Sequence, residues 1–180
     1  MASKVTLVTG GSSGSGKAVT CDDFLARLPD VPWFAKVGQP ISDPNVSRIR
    51  AWDEWAGPEE ETGRIVALSL QQQDWYDALL ETHSERDTEL ESLLQRVARS
   101  VMAAAADKVP YDPEADSWHA PTMAVWQAIW TAGLIASHLA CDEPIPADLA
   151  QQWNWYARGH WPCGYAYLET DGEPGPLQIF

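Results

Sequence analysis

Basic side chains are scarce in this chain. Lys and Arg number 12 against 26 Asp and Glu, a formal net charge of −14 over 180 residues. Neutralising a phosphate backbone or an anionic bilayer takes Lys and Arg, so nucleic acid and membranes are excluded as expected partners. Cysteine is sparse too. Cys21, Cys141 and Cys163 are odd in number and widely spaced, so they build no disulfide framework and fit no zinc pattern. That usage points to a reducing cytoplasm. The four histidines, His83, His119, His138 and His160, show no H-x-x-x-H spacing, and His83-Ser84-Glu85 stands alone without further ligand-type residues in register, so neither a metal nor another cofactor is expected. The first residues lack a continuous apolar run, so no secretory signal is expected. One uncharged stretch, Ser117 to Cys141, has the length to span a bilayer. His119, Pro121, Gln127, Thr131, Ser137 and His138 interrupt it, and a buried central helix is the better expectation.

What the chain has in quantity is tryptophan. Ten Trp and 45% apolar residues give ample material for a core, and the length suits one domain. The acidic excess favours basic partners, cations or plain solubility.

Near the start, Val5–Val8 is a short β-prone run followed by a Gly/Ser turn, Gly10 to Gly16. Such a turn exposes backbone N–H groups that can cradle phosphate. Thr9, Gly10, Gly14 and Gly16 spell T-G-x-x-x-G-x-G, which resembles the opening of the short-chain dehydrogenase/reductase family. The resemblance implies a turn approaching a nicotinamide pyrophosphate. It covers the first tenth of the chain; no Asn-Asn-Ala-Gly segment and no Tyr-x-x-x-Lys pair follow. Gly11, Gly16 and Lys17 also have Walker A spacing, but Ala18 stands where a magnesium-binding hydroxyl is needed. The same letters make a flexible linker. Residues 1–19 are therefore expected to be a Gly/Ser-rich leader or extension, with Gly10, Gly14, Gly16 and Lys17 as weak cofactor-binding candidates. The domain proper is expected over 20–180.

Along that domain the pattern predicts a mainly α fold. Thr20 and the acids behind it read as a helix start. Prolines make 29–46 irregular, with a brief extended piece at Trp33–Val37. Apolar spacing predicts helices near 58–82, 87–107, 121–141 and 147–158, packed as an irregular four-helix bundle around the uncharged one. Gln72 fills one apolar seam position of the first of these. Thr88-x-x-Glu91 offers a capping box for the second. Gly159 reads as the residue just past the last helix. A short N-terminal helical region and a C-terminal β-hairpin complete the expectation. Trp126 and Trp130 are expected in the core. Trp33, Trp52, Trp55, Trp118 and Trp161 lie in short elements or loops and are candidates for partial exposure.

The densest run of chemistry is Trp153 to Tyr167, WNWYARGHWPCGYAY. A His beside a Cys can generate a thiolate nucleophile, which makes His160 and Cys163 catalytic candidates. No motif marks an oxyanion donor or an orienting group. The structural alternative is a corner set by Pro162 and Gly164, with Cys163 as a small hydrophobe. Trp118, Trp155, Arg158, His160, Trp161 and Cys163 form the expected binding set. Aromatic surface on an acidic chain with no catalytic motif suggests a non-enzymatic binding protein, of the immunity or inhibitor type, that neutralises a basic partner. The alternative is a small-ligand binder or enzyme with an aromatic pocket near His160 and Cys163.

Overall fold

The structure, a computed structural model, describes residues 19–37, 71–105, 119–167 and 174–179. Across these residues the chain is mainly helical. The expected leader lies outside them except for Val19, as do the expected helix start near 58 and the short element carrying Trp52 and Trp55.

Helix α1 spans Cys21–Arg27. Thr20 starts it with a capping box: its hydroxyl accepts from the Asp23 amide at 3.1 Å, and its own amide donates to Asp23 Oδ2 at 3.5 Å. Such a cap is worth about 1 kcal/mol. Pro29 then opens a 3-10 turn, Leu28–Asp30, and Pro32 opens α2, Pro32–Lys36. The expected extended piece at Trp33–Val37 is thus a helix through Lys36. Proline breaks a helix from within but suits its first turn, where an N–H has no partner to lose.

Helix α3 runs over 71–82, and a 3-10 turn at Ser84–Arg86 leads into α4, Asp87–Ala105. Thr88 lies inside α4 rather than at its cap, and its carbonyl accepts from Ser92 Oγ at 2.9 Å. Leu90, Leu93, Val97, Val101 and Ala105 of α4 are buried. Helix α5, His119–Ala140, is the central packing element. Arg86 donates to the Ala140 carbonyl at 2.8 Å, and a Cβ built on Gly133 would collide with Leu94 Cδ2. These two points fix α4 and α5 as antiparallel. Ala128, Ala132 and Ala136 make a small-residue stripe that is fully buried.

Helix α6 spans Ala147–Ala157. Its aromatic face meets the N-terminal helices: Phe24 lies 5.0 Å from Trp153 between ring centroids, and Trp33 stands edge-on to Tyr156 at 5.1 Å. Trp33, a candidate for partial exposure, is therefore core. Both α5 and α6 end in the same way. Gly159 (φ 82) lets His160 N donate to Trp155 O and Gly159 N to Tyr156 O, both at 2.9 Å. After α5, Asp142 takes the matching left-handed place (φ 55), with Glu143 N on His138 O at 2.9 Å. This is the Schellman arrangement, which satisfies carbonyls orphaned by the helix end. Beyond α6, Pro162–Tyr167 (β1) pairs antiparallel with Pro174–Ile179 (β2), Tyr165 opposite Leu177.

Candidate functional site

The expected site around the end of α6 is assembled in part. The Schellman turn folds His160 back over the last helical turn, so its ring stands edge-on to Trp155 at 5.8 Å. The Arg158 guanidinium carbon sits 5.5 Å from the Trp155 ring centre. Three of the expected binding residues, Trp155, Arg158 and His160, thus form one stack. At an exposed position a cation over an indole contributes about 0.5–1 kcal/mol. The Trp155 indole N–H is buried and has no hydrogen-bond partner among the described residues.

Trp161 is not part of an open surface. It is buried, and its Nε1 donates to Gln127 Oε1 at 2.8 Å. Trp161, a candidate for partial exposure, is buried because the turn after Gly159 directs the chain back onto α5. Cys163 lies on β1, and its side chain lies outside the described residues, as do Trp118 and the glycine run with Gly10, Gly14, Gly16 and Lys17. Burial pushes the thiols of Cys21 and Cys141 above their ordinary range, with Asp22 adding to the effect at Cys21. Neither is a poised thiolate. Among the described residues, no group of three or more His, Cys, Asp or Glu is placed to hold a metal ion.

A second constellation was signalled only by Gln72 in an apolar seam. Gln72 from α3, Gln127 and Thr131 from α5 and Gln152 from α6 are all buried. Gln72 Nε2 donates to Thr131 Oγ1 at 3.1 Å and approaches Gln152 Oε1 at 3.4 Å. Gln152 Nε2 reaches Gln71 Oε1 at 3.4 Å, and Thr131 donates to the Gln127 carbonyl at 2.8 Å. A buried polar network fixes the registry of three helices, because a slipped arrangement strands its amides without partners. Its chemistry is neutral, with no acid, base or nucleophile.

The third constellation overturns an expectation. Trp126 and Trp130 are not core: they are 51% and 38% exposed. They sit one turn apart, nearly opposite the buried stripe of Ala128, Ala132 and Ala136. That stripe was the available signal. Small residues mark the face where helices pack closest, and large rings on the reverse face have no such neighbour. Tyr76 of α3 meets Trp130 edge-on at 6.4 Å. Met102 of α4 is 41% exposed, and the antiparallel offset of α4 and α5 sets it level with Trp126. Around Tyr76 stand three carboxylates. Burial raises the Tyr76 hydroxyl pKa, and Asp87, Glu91 and Asp77 raise it further by disfavouring a second negative charge. Gln73 Nε2 donates to Asp77 Oδ1 at 2.7 Å and holds that carboxylate in place.

Compared with protein-family models, with curated proteins and with solved structures, the chain matches none. Among the described residues, no helix is long and apolar enough to cross a membrane.

Proposed function

We propose that the chain is an acidic, non-enzymatic binding protein of the cytoplasm. It is an irregular four-helix bundle, with a short N-terminal helical region and a C-terminal β-hairpin, that holds a basic protein partner. The carrying observation is the exposure of Trp126 and Trp130 on a chain of net charge −14. Exposed indoles are costly to leave in water and are frequent anchors of protein interfaces. A negative surround speeds the approach of a positive partner and repels nucleic acid. Neutralisation of that partner, as by an immunity or inhibitor protein, is the physical role such a surface suits.

The test is co-purification of the tagged full chain from its own cells at rising salt. A basic protein is expected at low salt and is released as salt screens the attraction. The isolated partner is expected to lose its activity when the chain is added back. If no basic protein is retained at any salt concentration, the reading is wrong.

A second reading places a small ligand at the Arg158–Trp155–His160 stack, with Cys163 nearby in sequence. The unpaired buried N–H of Trp155 favours it, because a ligand oxygen would satisfy that donor. Under this reading Cys163→Ala abolishes activity and leaves the fold intact. Protection of Cys163 from alkylation in the folded protein would end it.

A further inference from the structure

We infer that the face carrying Trp126, Trp130 and Tyr76 docks a cationic amphipathic helix of the partner, its apolar stripe on the two indoles and its Lys or Arg heads on Asp77, Asp87 and Glu91. The inference rests on the binding reading above and deepens it by naming the surface and the partner's chemistry.

Four observations carry it. The two tryptophans are spaced one turn apart along α5, which matches the i, i+4 anchors of an amphipathic helix laid beside it. Tyr76 on α3 and Met102 on α4 stand on the helices to either side, so the apolar strip crosses three elements. The carboxylates lie at the Tyr76 end, where they raise the Tyr76 pKa. Exposed Arg99 lies three residues before Met102, about two helical turns along α4 from Glu91. The partner's cations therefore belong at the Tyr76 end, which gives the docking a direction. Arg96 lies near enough to Cys21 of α1 for its charge to act on that thiol. A second copy of this chain is a poor occupant. It would bring the same negative charge to a rim already negative.

The experiment uses the full chain and two fluorescein-labelled peptides of about five helical turns, one Lys/Leu amphipathic and one its Glu/Leu twin. Binding is read by fluorescence anisotropy at low and high salt. The Lys/Leu peptide is expected to bind and the Glu/Leu twin is not. The double variant Trp126→Ser/Trp130→Ser is expected to weaken binding about tenfold or more. Asp77→Asn/Glu91→Gln is expected to weaken it about threefold and to flatten its salt dependence. Asp22→Asn/Asp148→Asn, which removes exposed acids on other elements, is expected to change it little. Circular dichroism checks that each variant folds; both indoles are already exposed, so Ser leaves the core intact.

If the Lys/Leu peptide binds the tryptophan double variant as well as the wild type, the surface is wrong and the basic-partner reading stands. If the wild type binds neither peptide, the docking inference is overturned, while the basic-partner reading is decided separately by the co-purification. If sedimentation shows a dimer that Trp126→Ser/Trp130→Ser dissolves, the occupant is a second copy and the inference is overturned.

Discussion

The Trp161 indole N–H meets Gln127 Oε1 at 2.8 Å, both groups buried, across the gap between the chain after α6 and the middle of α5. The bond ties the C-terminal segment to the central helix. Trp161→Phe keeps a ring but leaves Gln127 Oε1 without its donor. The expected loss is about 2 kcal/mol of unfolding free energy, from the stranded acceptor and the lost volume. Adding Gln127→Met removes that acceptor, together with an Nε2 that already lacks a partner among the described residues. The double variant is expected to recover part of the loss in urea titration. Strictly additive losses would show that the bond contributes nothing.

The contact of Gly133 with Leu94 sets the spacing of α4 and α5. Gly133→Ala gains about 1 kcal/mol of helix propensity but drives a methyl into Leu94 Cδ2. The collision is expected to win by about 1 kcal/mol, because Leu94 is itself partly packed. In a Leu94→Ala background the sign is expected to reverse, so that Gly133→Ala stabilises. Denaturation of the four proteins of this cycle decides it; an unchanged sign would place the cost elsewhere than Leu94.

Asp142 occupies a left-handed position (φ 55) that Gly159 occupies in the matching turn after α6. A residue with a Cβ pays about 1 kcal/mol or more for that conformation. Asp142→Gly is therefore expected to raise stability by roughly 1 kcal/mol. A thermal scan showing a lower midpoint would contradict this account of the turn.

His138 is buried in the last turn of α5, and neither ring nitrogen makes a hydrogen bond among the described residues. Burial lowers its pKa. The Pro144 carbonyl and Glu143 carboxylate draw it back less strongly, the carbonyl lying outside hydrogen-bond geometry. The unfolded chain, with His near its ordinary value of about 6.5, binds the proton more readily than the folded one. Stability from this group is then complete above about pH 6.5 and is lost as pH falls through the lower folded value. His138→Leu is expected to flatten the decline between about pH 7 and 5. Parallel stability curves for wild type and variant would remove His138 from the explanation.

Local chemistry was legible in the letters. Thr20 with Asp23, the apolar stripe Leu90–Ala105 of α4 and Gly159 after α6 each specify a helix start, face or end through contacts within a few residues. The charge balance, and the partners it disfavours, also follows from composition alone. What the letters left open is which way a helix turns when it is apolar all round. Trp126, Trp130, Ala128 and Ala132 look alike to a periodicity argument, and only packing separates them. The small residues let α5 press against its neighbours, so the indoles are left on the reverse face beside Tyr76. In the same way Trp33 became core because Pro32 began a helix and set it against Tyr156. Gln72 meets Thr131 and Gln152 because three helices bring them together over 59 and 80 residues of separation. Burial is a property of the assembled neighbours rather than of the residue. The sequence therefore determined the helices and the sign of the surface, and the tertiary structure decided which aromatic residues face water.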